Sequence, residues 1–124
     1  MNVFENELSL RNKVASFYSN NLSQYLSVPY LQNFSESAWA QYSLVIKDEE
    51  ERDLLISHLN KNNIPTAIYY KKIFSELVLY QKNTNNLFPL SKKISKSIFS
   101  IPMHPYLTDS ELNNIVNLIN VFYK

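Results

Sequence analysis

Apolar positions fall into helical stripes along this chain, separated by short runs rich in aromatic and β-branched residues. From about residue 5 to residue 22, Leu8, Val14, Phe17 (or Tyr18) and Leu22 share one side of a helix. Pro29 and the stretch Asn33 to Ser37 mark a loop. Trp39 to Ile46 reads as a strand. Asp48 then starts a helix, with Glu51 three residues on as a capping box. Leu55, Ile56 and Leu59 face inward, and Asn62-Asn63 supplies the left-handed stop. Ile64 to Tyr70 predicts a second strand. Phe74, Leu77 and Val78 give helical spacing over Lys71 to Gln81, followed by a loop over Lys82 to Asn86. Ser91 to Ser97 is a short helix and Ile98 to Ile101 a third strand. Thr108 and Glu111 form another capping box. It opens a helix whose stripe is Leu112, Ile115, Val116, Ile119 and Phe122. Helices interleave with strands whose connections are too long for hairpins. The pattern fits an α/β (α+β) fold: a small two-layer sandwich with a largely antiparallel sheet of three or four strands.

Composition narrows what such a fold could do. At 124 residues with 45% apolar content, the chain makes one domain with a real core. Net charge is +1, so no strong field points to nucleic acid or an anionic membrane. Lys92, Lys93 and Lys96 make a basic helix face without flanking basic mass. No apolar run approaches membrane-spanning length, and no signal stretch opens the chain, which makes a cytoplasmic protein the default. The absence of cysteine removes thiolate catalysis and cysteine zinc sites. His58 and His104 are too few and too far apart for a metal centre; His58, beside Leu59, reads as solvent-facing or locally bonded. The chain also has no glycine, against roughly 7% in average proteins. Phosphate-cradling loops and nucleophile elbows need glycine where backbone approaches a ligand or turns sharply, so none is encoded here.

The most specific stretch is Ser100-Ile101-Pro102-Met103-His104-Pro105-Tyr106-Leu107-Thr108. Its prolines fix an extended, turn-like path that holds a His and a Tyr on a stiff segment. It closely resembles a segment near the C-terminus of the DegT/DnrJ-type sugar aminotransferases, which use pyridoxal phosphate (PLP) to aminate nucleotide-linked keto sugars. Ala38 to Ile46 and Asn63 to Tyr70 match the same family in the same order. Arg11, Ala15, Tyr18 and Leu22 resemble its helix linking the two domains. The resemblance implies a connector helix over 1–24 and the family's small C-terminal α/β domain over 25–124, so that the chain begins inside a connector. The large PLP-binding domain is not represented. The segments look most like the branch acting on UDP-N-acetyl keto sugars for surface polysaccharides or glycans.

The resemblance also implies site residues. Tyr69-Tyr70 stands where many members have His-Tyr, a pair reaching toward the nucleotide sugar, and a phenol can donate to a diphosphate or sugar oxygen. On an extended segment, alternate side chains face opposite ways, so one tyrosine would belong to the core. The family pattern Tyr-Pro-x-Pro-Leu-His is replaced by Tyr70-Lys71-Lys72-Ile73-Phe74-Ser75, without both prolines and the His. His104 and Tyr106 are candidate substrate contacts near the active-site mouth, with the alternative of a hydrogen-bonded His104 that packs the turn onto the domain core. Gln41 could present its amide at the domain boundary or simply occupy a strand. Glu49 to Glu51 read as a favourable helix start. Lys47, Lys61, Lys71, Lys72, Lys92, Lys93 and Lys96 read as solvated lysines, and no Schiff-base motif accompanies them.

The expectation is therefore a domain without its own cofactor and inactive alone, whose full enzyme uses PLP, glutamate and a nucleotide sugar. A stand-alone binding module, or a non-catalytic remnant of a split gene, is the alternative. Family members are dimers. A lone domain is expected to expose an apolar face, including Phe17, Trp39, Tyr69 and Phe74, and to self-associate.

Overall fold

The computed structural model describes residues 2–22, 24–77 and 88–124. In chain order these form α1 (Asn2–Leu22), β1 (Tyr42–Val45), α2 (Glu49–Lys61), a 3₁₀ turn (Phe74–Glu76), α3 (Pro89–Ser97), β2 (Ile98–Ile101) and α4 (Asp109–Phe122). Strands β1 and β2 pair antiparallel, with Tyr42 opposite Ile101 and Val45 opposite Ile98. A single bridge flanks each outer edge: Ser27 to Val45 beside β1, and Ala67 to Ser100 beside β2. Four segments thus lie side by side, the outer two reduced to one residue each. The result is a mixed α/β fold on a small antiparallel sheet, as the element order predicts.

The expected strand over Ile64 to Tyr70 shrinks to Ala67 for a covalent reason. Ala67 and Ser100 exchange both backbone bonds, at 3.0 and 2.7 Å. The next bonded pair toward Pro65 would be residues 65 and 102, and both are proline. Neither has an N–H to give. On the other side the next pair needs the Ile98 N–H, which is already donated to Ile94 O at the end of α3. Pro29 removes a donor near the Ser27 bridge in the same way. The helix expected over Lys71 to Gln81 is only the short 3₁₀ turn over the described part; Val78 to Gln81 and the loop Lys82 to Asn86 lie outside the described residues.

Helix boundaries follow their caps. Thr108 and Glu111 form a full capping box on α4. At α2, Asp48 accepts from the Glu51 N–H at 2.9 Å, one half of the expected box. Asn63 takes the left-handed stop at φ 61°. The core gathers Tyr18 and Leu22 of α1, Tyr42, Leu44 and Phe99 of the sheet, Leu55 and Leu59 of α2, and Ile115 and Ile119 of α4. Helix α4 packs against both α1 and α2.

Two expectations about the surface are corrected. Trp39 is buried, with 8% of its surface exposed, and stands outside the strand at φ 48°. Three bonds hold it: its Nε1–H donates to Asn12 Oδ1 (2.8 Å), its carbonyl accepts from Arg11 (2.9 Å), and its N–H donates to Ser37 Oγ (3.1 Å). Phe17 is half-buried against the core, while Tyr69 and Phe74 are exposed. His58 is half-buried. Its Nε2–H donates to Leu118 O across the α2–α4 contact (3.1 Å), and its ring lies 5.8 Å from that of Phe122.

Candidate functional site

Two hollows and one stiff turn hold the candidate residues. Tyr69 and Tyr70 follow the Ala67 bridge, and each leaves 63% of its surface exposed, so neither is a core residue. They line different hollows. Tyr69 borders a cleft of about 200 Å³ with Gln41, Thr66, Pro102 and Met103. Tyr70 borders a hollow of about 470 Å³ walled mainly by Ile73, Phe74, Phe88, Ile94 and Ile98. The first mixes amide, hydroxyl and apolar surface; the second is largely apolar, with Lys72 at its edge.

The Pro-flanked turn is held at each end. The Tyr18 hydroxyl donates to Pro102 O at 2.9 Å, taking the acceptor that the Pro65–Pro102 mismatch leaves unpaired. Burial, and behind it the neighbouring Tyr42 and Glu111, pushes the Tyr18 phenol well above the usual range, so it remains a donor. Pro105 is buried beneath the turn. The Tyr106 hydroxyl donates to Glu7 Oε1 on α1, and that bond raises the Tyr106 pKa. His104 is exposed; its Nδ1 accepts the Tyr106 N–H at 3.3 Å. Tyr106 is thus tied to α1, and His104 is oriented by the turn's own backbone. Tyr69 shares its cleft with Pro102 and Met103, the residues leading into His104, whereas Tyr70 lines the other hollow.

Sequence reasoning missed Arg52. It is buried, although it lies in a run of carboxylates that reads as a solvated helix start. Its guanidinium donates to Asp53 Oδ1 (2.9 and 2.8 Å), to Glu49 Oε1 (3.4 Å) and to Lys96 O at the end of α3. This ties α2 to α3, the helix that walls the larger hollow. Among the described residues no three His, Asp or Glu converge as a metal site, and no helix is long and apolar enough to cross a membrane.

Comparison with known proteins decides the family. The sequence model of the DegT/DnrJ/EryC1/StrS aminotransferase family matches residues 1–120. The chain belongs to this family. A Pseudomonas aeruginosa relative, UDP-2-acetamido-2-deoxy-3-oxo-D-glucuronate aminotransferase, is 28% identical over 116 residues, 93% of this chain and 31% of that protein. A crystal structure of a DegT/DnrJ/EryC1/StrS aminotransferase from Brucella abortus superposes with a TM-score of 0.87 at 33% identity. It covers 95% of this chain and 31% of the other. A Streptococcus pneumoniae structure in its PLP form shares the fold, with a TM-score of 0.77 at 20% identity, covering 94% of this chain and 31% of that one. The chain therefore spans about a third of the length of the relatives it matches.

Family members are PLP-dependent aminotransferases, but the described residues do not fit that cofactor. A PLP site needs a lysine in a sheltered pocket, a carboxylate for the pyridinium nitrogen and backbone amides or hydroxyls for the phosphate. Every described lysine is exposed. No carboxylate lines either hollow beside Tyr69 or Tyr70.

Proposed function

We propose that this chain is the small, C-terminal α/β domain of a PLP-dependent aminotransferase acting on nucleotide-linked keto sugars. Residues 1–24 are the connector helix and 25–124 the domain. The observation that carries this reading is the match over residues 1–120 to a family whose relatives are about three times as long. The remaining two thirds of such an enzyme would hold PLP, which supplies an electron sink for the carbon that bears the migrating amino group. Glutamate is the amino donor and a UDP-N-acetyl keto sugar the acceptor; the Pseudomonas relative is named for a uronate of this class, with a ring carboxylate in addition. Tyr69, Tyr70, His104 and Tyr106 face the substrate in the intact, cytoplasmic homodimer. This domain shapes the pocket and does not transaminate alone. The replacement of the family's proline-rich pattern by Lys71 to Ser75 favours one second reading, a remnant kept as a binding module.

A chimaera tests the proposal. The chain replaces the matching third of the Brucella enzyme, which it covers at 33% identity. The expected result is glutamate-dependent amination of a UDP-linked keto sugar by the chimaera. The chain alone should give no new saturable absorbance with PLP. An inactive but folded, PLP-loaded chimaera favours the binding module. A saturable band with the lone chain, lost on substitution of one lysine, overturns the assignment.

A further inference from the structure

We infer that the cleft between Gln41 and Tyr69 is a subsite for one neutral sugar ring bearing an amide substituent, with Gln41 reading that amide. The inference rests on the proposed function and names the part of the substrate this domain recognises. Four observations carry it. The cleft measures about 200 Å³, below the roughly 300–1,000 Å³ of sites that bury a whole drug-sized ligand, so it takes a single ring and not a nucleotide. No Lys, Arg, His, Asp or Glu lines it, so nothing there compensates a desolvated diphosphate or carboxylate. Its apolar lining residues Ala67, Pro102 and Met103 and the exposed Tyr69 suit the C–H face of a pyranose. Gln41 and Tyr69 line the cleft, and neither side chain has a hydrogen-bond partner among the described residues. A primary amide offers a donor and an acceptor side by side, the pattern that matches an acetamido group and that a lone hydroxyl meets only by half.

The sequence context agrees. Gln41 enters β1 one residue before buried Tyr42, so alternation sets it on the face of Ser43, whose Oγ lies 2.9 Å from the Ser100 Oγ. Ser100 also lines the cleft. The cleft therefore sets a few polar residues, Gln41, Thr66 and Ser100, among apolar ones, the arrangement of a site that orients a ring by few contacts.

The test is titration of the ¹⁵N-labelled chain with N-acetylglucosamine, glucose and UDP, followed by NMR. N-Acetylglucosamine should shift the Gln41 side-chain amide and the Tyr69 backbone signal saturably, and bind about tenfold more tightly than glucose, the worth of one good hydrogen bond. In Gln41→Ala, the spectrum of which reports that the fold is intact, the two sugars should bind alike. UDP should leave the cleft unshifted. Retained discrimination in Gln41→Ala, shifts confined to the Tyr70 hollow, shifts of the cleft by UDP, or no saturable shift with either sugar each overturns the inference. An active chimaera alongside any of these outcomes rejects the Gln41 subsite alone and leaves the family-level function standing.

Discussion

At Thr108 a two-residue sequence signature becomes a titrating contact. The Glu111 carboxylate accepts from the Thr108 N–H (2.8 Å) and from its hydroxyl (2.7 Å), while the Glu111 N–H donates to the same hydroxyl (3.3 Å). The two bonds to Thr108 hold the Glu111 carboxyl below its ordinary 4.5. A depressed carboxyl contributes stability that is present above the ordinary value and is lost as pH falls through the lower folded value. Glu111→Gln is therefore expected to melt below the unsubstituted chain at neutral pH, with the gap closing below about 4.5. A gap of constant size across a pH series of thermal melts contradicts the assignment. This contact was legible because a capping box is local, fixed by residues three apart. Arg52 was not. Its neighbours Glu49 to Glu51 and Asp53 describe a wet helix start, and nothing local shows that the guanidinium reaches the far end of α3. Its burial is a tertiary fact, as is that of Trp39.

Between elements, the decisive chemistry is the missing proline N–H. Hydrophobic alternation predicts strands, and the rich apolar content of Ile64 to Tyr70 satisfies it. Pairing also requires a donor at each bonded position, and that depends on register, which one segment does not reveal. Once Ala67 sits opposite Ser100, prolines 65 and 102 face each other and the ladder stops. The Pro102 carbonyl is then taken by the Tyr18 hydroxyl, so α1 completes what the strand cannot. Tyr18→Phe keeps the ring, which packs 5.1 Å from that of Tyr42, and removes only this bond. It is expected to cost about 1–2 kcal/mol, read as a lower urea midpoint at unchanged slope. Amide exchange at Met103 and His104 should quicken with it. An unchanged midpoint would mean that water satisfies Pro102 and that α1 does not anchor the turn. The turn and a hydrogen-bonded His104 were readable from the sequence, although His104 is exposed and Pro105, not the His, packs beneath the turn; that Tyr106 would reach Glu7 was not, because Glu7 lies on a helix remote in sequence.

On the scale of the whole molecule, the two prominent hollows of the candidate surface differ in how they meet water. The Gln41 cleft has polar edges. The larger hollow is lined in part by Tyr70, Phe74 and Phe88, all exposed, and Leu90 on the adjoining first turn of α3 is exposed as well. Exposed apolar surface of this kind is costly to keep wet and favours association. The sequence pointed to an apolar face but placed Trp39 and Phe17 on it. Those side chains instead pack inward, whereas Tyr69 and Phe74 are exposed as expected, and Tyr70, Phe88 and Leu90 add exposed apolar surface on the segment after Tyr69 and on α3. Concentration-dependent association is therefore expected in sedimentation experiments. Leu90→Glu should shift the population toward monomer: it puts a charge on the exposed apolar surface beside the hollow, and in the first turn of α3 that charge is favourable to the helix itself. Sedimentation of the unsubstituted chain as a strict monomer at high concentration sinks the expectation. Association unaffected by Leu90→Glu but abolished by a charge at exposed Phe4 would move the contact to the start of α1.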